Sequence, residues 1–428
     1  MKYIIATLGC KVNQYETQAM ELMLRQRGHE SAAPGEPADA VIVNTCAVTA
    51  ESGRKSRQTI RRLRDENPGA VVAVAGCYSQ LSPEETAEIG AQVIFGTNDH
   101  AAFIEAVERA ADRGETSRTL DAPFQRREFE ILPAGAVSGR TRAMLKIQDG
   151  CVNFCSYCII PYTRGRLRSL PLAEAAAETA RIAAEGYREL VLTGIEVASY
   201  GFDLPGKPGL AEVIETVAAA SGEMRIRLGS LESTVITEDF CRKVSASGKL
   251  CRHFHLSLQS GCDRTRKAMN RKYDTETFYE TTRLLRSWFP GCALTSDLIT
   301  GFPGETEEDH AQTLAFIQRC GFADMHIFPY SRRPGTPADK MPGQCSRALK
   351  ARRAHEAQQV ADGMRAAFLE QSLGQVLPVL FETGEGEGSI GHSDTYLPVR
   401  VPEEGLRGQL RQVRISGVKD GQLIGKCI

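Results

Sequence analysis

An α/β fold in three successive parts is predicted for this chain, and three observations predict it. Residues 1–125 alternate short apolar, β-branched runs with helical patterns, residues 140–370 repeat that alternation, and residues 371–428 abandon it. In the first part YIIATLG, AVIVNT and AVVAVAG are each followed by a helical pattern, and a fourth run, QVIFGT, comes after them. Strand and helix in that order predict a small parallel sheet. PFQRREFEILPAGAVSGRTR, from Pro123 to Arg142, breaks the alternation with proline, glycine and charge, so residues 126–139 read as a linker. The second part then presents AMLKIQDG, ELVLTGIE, RIRLGSLE, HFHLSLQSG, ALTSDLITGFPG and MHIFPYS as strands, with stretches such as LAEAAAETARIAAEG and ETFYETTRLLRSWF between most of them. Six such units predict an incomplete (β/α)6 parallel barrel whose chemistry lies in the loops after the strands. A closed eight-unit barrel is disfavoured because the pattern stops too early. Ser346 to Ser372 reads as one long helix, alanine-rich and studded with basic residues. The glycine-rich remainder has short β-type runs and predicts a small β-barrel or sandwich, with ETGEGEG as a hairpin turn.

At 428 residues the chain is long for one hydrophobic core, so two or three domains are expected. A hydrophobic fraction of 42% and a charged fraction of 25% are ordinary globular values, and a net charge of -1 says little about partners. GRKSRQTIRRLR (Gly53 to Arg64) and TRGRLRS (Thr163 to Ser169) are locally basic and fit either solvated surface or phosphate contacts. The N-terminus lacks the apolar core and cleavage site of a signal peptide, and no stretch approaches the roughly 18 apolar residues of a membrane span. A cytoplasmic protein with no membrane partner is expected, with its thiols reduced. Thirteen cysteines, an odd number, then make a poor disulfide framework and a good supply of thiolate ligands.

Cys151, Cys155 and Cys158 follow a predicted strand in GCVNFCSYC, spaced C-x3-C-x2-C. Structural zinc wants four ligands. Here the next cysteine is Cys241, and no histidine lies between His100 and His253. Coincidental packing explains three thiols at such spacing poorly. An iron–sulfur cluster held by three thiolates, with one iron open to a cofactor or substrate, fits the spacing. Cys10, Cys46 and Cys77 form a different pattern, each directly following one of the first three apolar runs. The C-terminal ends of parallel strands share one edge, where open α/β folds place ligands. Packing alone accounts for one such cysteine but not for three in the same register.

CVNFCSYC, with an aromatic residue before its last cysteine, resembles the signature of radical S-adenosylmethionine enzymes. TLGCKVNQYE, VNTCAVT, AGCYSQ, CVNFCSYCIIPYTRGRLRS, LTGIEVASYG, HLSLQSGCDRTRKAMNR, DLITGFPGET and FPYSRRPGTPA resemble, in order, the blocks of the methylthiotransferases. GHSDTYLPVRV resembles the nucleic-acid-binding TRAM domain that ends those enzymes. TLGCKVNQYE is most similar to the branch acting on N6-threonylcarbamoyladenosine at tRNA position 37, a distinction carried by Lys11, Val12 and Tyr15. Sister branches act on isopentenyladenosine in tRNA or on an aspartate of a ribosomal protein.

The resemblance implies a flavodoxin/Rossmann-like N-terminal domain (1–125), a radical S-adenosylmethionine partial barrel (140–370) and a TRAM-like β domain (371–428). It implies two [4Fe-4S] clusters, one on Cys151, Cys155 and Cys158 that yields the radical, and one on Cys10, Cys46 and Cys77 that carries sulfur. One S-adenosylmethionine would supply the methyl group and a second the radical. The target, C2 of a purine, bears a hydrogen that no side chain can remove as a proton, so cofactor chemistry is required. By the same resemblance Gly194 and Glu196 face the methionine ammonium, Gln259 and Gly301 frame ribose and adenine, and Tyr157 lies beside the adenine. Arg164, Arg166 and Arg168 would meet the tRNA backbone. The implied partners are a tRNA anticodon stem-loop, an electron donor such as flavodoxin or ferredoxin, and a sulfur donor. GFPGET lacks the GK[ST] ending of a phosphate loop. Cysteines 241, 251, 262, 292, 320, 345 and 427 share no spacing and read as packed thiols, and Trp288 as helix packing. A non-catalytic, metal-stabilised RNA-binding protein is the rival reading. Against it stands the open ligand position at both cysteine sets, since a structural site is closed.

Overall fold

The computed structural model describes residues 1–133, 141–383 and 388–428. The segment 134–139 of the expected linker and the centre of the expected ETGEGEG turn, 384–387, lie outside the described residues. The chain divides into two compact units. One comprises Met1–Val137, Lys146–Leu170 and Ser331–Asp339; the other comprises Ser138–Leu145, Pro171–Tyr330 and Lys340–Ile428.

The first unit is built on a parallel sheet. Its strands are β1 (Lys2–Thr7), β2 (Glu30–Ser31), β3 (Ala40–Thr45), β4 (Val71–Gly76), β5 (Val93–Phe95) and β6 (Ser117–Thr119), in the order β2-β1-β3-β4-β5-β6. β3 and β4 read AVIVNT and VVAVAG and are buried along their whole length, as the unbroken apolar runs of a sheet covered on both faces should be. One face packs Tyr3, Ile42, Ala73 and Phe95 against Met20 and Leu24 of the helix Lys11–Gln26 and Phe103 and Val107 of the helix His100–Arg113. The other packs Val41, Val43, Val72 and Val74 against Ile60 and Leu63 of the helix Ala50–Glu66. Thr49 caps that last helix by accepting from the Ser52 amide, at 3.0 Å. Strand order reverses between β1 and β3, which is where an open α/β sheet forms its ligand crevice. β7 (Ala143–Asp149) carries the chain from the second unit into the first, where it pairs antiparallel with β8 (Arg168–Ser169).

The second unit holds the remaining strands of the expected partial barrel. β9 (Glu189–Gly194) and β10 (Arg225–Leu228) pair in parallel, and β11 (Ser230–Leu231), β12 (His253–Gln259), β13 (Ala293–Thr300) and β14 (Asp324–Pro329) form a parallel sheet in sequence order. In β12 and β13 fully buried residues alternate with half-buried ones, so each strand has one face against helices and one toward a more open side. The long helix falls at Arg347–Gln371 with Ser346 as its N-cap, matching the sequence reading. β15 (Val376–Thr383), β16 (Ser389–Ser393), β17 (Pro398–Val401), β18 (Leu410–Lys419) and β19 (Gln422–Cys427) close into a five-stranded barrel. The C-terminal part is therefore a barrel, not a sandwich, with a core of Leu377, Val379, Phe381, Val399, Val413 and Leu423. Trp288 is half-buried and donates its indole N–H to Glu238 at 2.7 Å. Among the described residues no helix is long and apolar enough to cross a membrane.

Candidate metal centres and active site

Cys10, Cys46 and Cys77 stand at or just beyond the C-terminal ends of β1, β3 and β4, three adjacent strands of which β1 and β3 flank the point of reversal. Cys10 caps the helix Lys11–Gln26, and Cys77 opens the short helix Cys77–Leu81. The register holds in three dimensions: the thiols influence one another electrostatically, Cys46 with both Cys10 and Cys77. Gly9 makes this approach possible. Its φ is +105°, and a Cβ there would lie 2.8 Å from the Cys46 sulfur. Burial pushes all three thiols above their ordinary range, and the Arg164 guanidinium pulls each of them back.

Arg164 is completely buried, as are Lys146 and Glu16. Its Nη2 donates to Glu16 Oε2 at 3.0 Å and to Asn13 Oδ1 at 2.9 Å, and its Nη1 lies 3.3 Å from Asp149 Oδ2. Lys146 Nζ lies 3.2 Å from Glu16 and 3.3 Å from Asp149, while Arg168 Nη2 lies 3.3 Å from Asp149. Burial opposes ionisation of Glu16, but Arg164 and Lys146 hold its carboxyl below the usual range. Arg164, Lys146 and Arg168 thus surround Glu16 and Asp149, the His100–Glu130 pair adjoins Lys146 and Glu16, and Arg164 is the cation of this network that acts on all three thiols. A second guanidinium, Arg333, also feels Cys46 and Cys77. Cys46 and Cys77 are buried and Cys10 is exposed, and a positive surrounding is what thiolates drawn partly out of water require.

Helix register explains how Asn13 and Glu16 come to serve this site. Three and six residues after Cys10, they fall on the same side of the helix. Asn13 Nδ2 also donates to the carbonyls of Leu8 and Thr45, both at 2.9 Å, and so ties the loop after β1 to the end of β3. Val12 and Tyr15, the sequence markers of substrate branch, are buried, and Tyr15 donates to the Leu132 carbonyl at 2.8 Å. They belong to the packing of this unit, while Lys11 alone is exposed.

The CVNFCSYC loop belongs to the same unit. It folds back tightly after β7. The Cys151 amide donates to the Gly165 carbonyl at 3.0 Å, and Gln148 Nε2 donates to the carbonyls of Asp149 and Gly150 at 2.9 and 2.7 Å. Gly150 has φ +75°, and a Cβ there would come within 1.8 Å of the Arg166 carbonyl oxygen, so only glycine lets the strand turn into the loop. Cys151 is buried, whereas Cys155, Tyr157 and Cys158 are half-buried, leaving the loop open on one side.

The expectation for the arginines is corrected. Arg164 and Arg168 do not face a nucleic acid, since both are buried in the ion network that their partners Glu16 and Asp149 create. Arg168 further donates to the carbonyls of Arg164 and Arg166 at 2.9 and 3.2 Å. Only Arg166 reaches solvent.

In the second unit Gly194 ends β9 and is followed by Glu196, whose Oε1 accepts from the Ala198 amide at 3.1 Å and whose Oε2 accepts from the Ser199 hydroxyl. Burial raises the Glu196 carboxyl to about 6. Gln259 ends β12 with φ +68°, beside a break in register with β13. Gly301 follows β13 with φ +68°. The space its Cβ would fill is taken by Lys350 of the long helix, with Cγ at 2.3 Å, so helix packing demands this glycine. A polar cluster missed from sequence lies on β12, β13 and β14. Asp297 is 3.3 Å from His255 Nε2 and 3.1 Å from His326 Nδ1, and Thr295 orients His255 through Nδ1 at 3.0 Å. Every second residue of a strand shares a face, which is the signal that could have grouped them.

The GHSDTYLPVRV segment, which resembles part of the TRAM domain, makes contacts within its own unit. Arg225 and Arg227 of β10 donate to the carbonyls of Pro378, His392, Ser393 and Asp394 at 2.8–3.0 Å. Arg227 also lies 4.8 Å from the Tyr396 ring centre. Glu189 of β9, fully buried, receives both arginines, at 2.6 and 2.7 Å. The 392–396 stretch thus holds the small barrel in its unit.

A parallel sheet with three cysteines along one edge, together with a C-x3-C-x2-C loop open on one side, is the arrangement expected from the resemblance to radical S-adenosylmethionine enzymes. Comparison with known proteins agrees. A model described as Uncharacterized protein family UPF0004 matches residues 2–96, and that of the Radical SAM superfamily matches residues 145–317. The threonylcarbamoyladenosine tRNA methylthiotransferase MtaB of Bacillus subtilis (strain 168) is 37% identical over 416 residues, 96% of this chain and 92% of the relative. A tRNA-2-methylthio-N(6)-dimethylallyladenosine synthase of Sphingopyxis alaskensis is 35% identical over 427 residues, 98% of this chain and 96% of the relative. Among solved structures, the radical S-adenosylmethionine methyltransferase TsrM of Kitasatospora setae, with tryptophan and a SAM analogue bound, matches with a TM-score of 0.58. That match has 15% identity over 90% of this chain and 79% of that one, a likeness of fold. The chain belongs to the radical S-adenosylmethionine tRNA methylthiotransferases.

The family's cofactors, two [4Fe-4S] clusters and S-adenosylmethionine, fit the residues present. Cys10, Cys46 and Cys77 would hold one cluster beside Arg164 and Arg333, and Cys151, Cys155 and Cys158 the other on its braced loop. When bound, they supply a carbon-centred radical and the sulfur to be transferred. With the clusters bound, Arg164 and Arg333 would offset thiolate charge, and Gly150 and the Gln148 hydrogen bonds would shape the turn that leads into the cysteine loop.

Proposed function

We propose that this chain methylthiolates C2 of N6-threonylcarbamoyladenosine at tRNA position 37, with S-adenosylmethionine as both methyl donor and radical source. The reading is carried by one observation: the convergence of Cys10, Cys46 and Cys77 in the same compact unit as the CVNFCSYC loop. The threonylcarbamoyl branch is supported by several threonylcarbamoyladenosine tRNA methylthiotransferases that are 33–37% identical to this chain. A cytoplasmic location, an electron donor such as flavodoxin or ferredoxin, and a sulfur donor complete the proposal. Nucleoside analysis of tRNA from cells lacking the gene tests it. Loss of the 2-methylthio derivative of threonylcarbamoyladenosine is expected. An unchanged profile, or loss of the dimethylallyl derivative instead, would contradict it.

In this scheme Glu196 accepts the methionine ammonium of S-adenosylmethionine, a role only its ionised form performs. Its carboxyl is raised to about 6, so the attraction is present above that pH and fades as pH falls through it. Equilibrium binding from pH 5 to 8 should show affinity declining on the acid side, and Glu196→Gln should flatten that decline while weakening binding at neutral pH. A wild-type affinity independent of pH over this range would remove Glu196 from the site.

A further inference from the structure

We propose that Phe124, Phe154 and Tyr162 form a stacking platform for unpaired bases of the tRNA anticodon loop, with Arg166 holding the backbone at its rim. The proposal rests on the tRNA reading and adds where the RNA is gripped.

The three rings come from separate segments: the turn Pro123–Gln125, the cysteine loop, and the helix Ile160–Arg164. They nevertheless form one cluster. Phe124 and Phe154 are nearly parallel, 11° apart with centres at 6.1 Å, and Tyr162 stands edge-on to both, at 6.5 and 6.1 Å. Edge-to-face packing on this scale is a stable aromatic arrangement. Yet the cluster is exposed, with Phe124 at 36%, Phe154 at 40% and Tyr162 at 39%, and Val152 of the same loop is exposed as well. Single exposed apolar residues need no explanation, but a contiguous patch of them marks a binding surface.

Phe154 adds a second sign. Its φ is +49°, a conformation that a bulky residue rarely adopts, and it stands immediately before Cys155. The loop thus carries an exposed ring beside its ligands. Arg166 donates Nε to the Phe124 carbonyl at 3.2 Å and is exposed, so its charge is fixed at the edge of the same patch.

Aromatic faces beside an anchored guanidinium are the chemistry that recognises single-stranded RNA. Unstacked bases lie on aromatic rings, and phosphates meet the cation. The target base of an anticodon loop must leave its stack to present C2, and a platform on the cysteine loop would receive its neighbours. A docking protein would also cover apolar rings, but the paired cation favours a polyanion.

The test uses full-length, cluster-loaded protein and an anticodon stem-loop RNA carrying threonylcarbamoyladenosine, with 2-aminopurine at a neighbouring loop position. Phe124→Ala with Tyr162→Ala should weaken binding about tenfold or more and abolish the fluorescence quenching that stacking produces. Phe124→Tyr with Tyr162→Phe should keep both. Arg166→Gln should reduce the salt dependence of binding by about one counterion. Wild-type affinity in the double alanine variant would overturn the proposal. So would loss of bound iron in parallel with affinity, or intact RNA binding with slowed reduction by the electron donor, which would assign the rings to the cluster loop or to a protein. Failure of the wild type to bind the RNA would defeat the tRNA reading itself.

Discussion

Replacing Arg164 by methionine is expected to cost about 3–5 kcal/mol of stability, because removal of one partner leaves buried charges uncompensated. Glu16 would keep only Lys146, and Asp149 would keep Lys146 and Arg168. The Asn13 side chain would lose the donor that fixes its carbonyl oxygen while it still ties β1 to β3. The cation that acts on all three thiols would vanish with the guanidinium. Two effects should therefore appear together: a lower denaturant midpoint for the metal-free protein, and a loss of the iron held by Cys10, Cys46 and Cys77. Arg164→Lys restores charge without the two-pronged geometry and should fall between. A methionine variant with the wild-type midpoint and full iron would show that this network is ornamental to the site.

Alanine at Cys10, Cys46 and Cys77 together is expected to separate two activities that the intact protein couples. Release of 5′-deoxyadenosine from S-adenosylmethionine should persist, since the CVNFCSYC loop keeps its own bracing by Gln148, Gly150 and Gly165. Formation of the methylthio product should fall to background. Alanine at Cys151, Cys155 and Cys158 should abolish both. The readouts are chromatographic: 5′-deoxyadenosine under reducing, anaerobic conditions, and modified nucleoside from digested tRNA. Methylthio product from the first variant would break the assignment of roles.

Much of this was legible from local pattern. The cysteines announced themselves because each follows an apolar β-branched run, and strand ends gather at one edge of a parallel sheet. The long helix and the partial barrel were legible for the same reason, being written in periodicity. Arg164 was not. Its partners Glu16 and Asn13 lie 148 and 151 residues away, and nothing local in TRGRLRS distinguishes a buried arginine from a solvated one. The structure sorts that stretch by geometry, with Arg164 ending a helix, Arg168 inside β8, and Arg166 outward between them. The Lys350 contact of Gly301 was hidden for a related reason. A glycine signals close approach, but whether a ligand or the chain's own Lys350 approaches is a tertiary fact. The aromatic platform escaped notice because its rings stand in three segments that only the fold assembles.

The central claim is that one chain carries two three-thiolate iron–sulfur centres, and an iron and sulfide determination tests it most directly. Anaerobically reconstituted wild type should hold about eight of each per chain, and either triple alanine variant about four. A wild-type value of about four, or a Cys10/Cys46/Cys77 variant indistinguishable from wild type, would contradict the account.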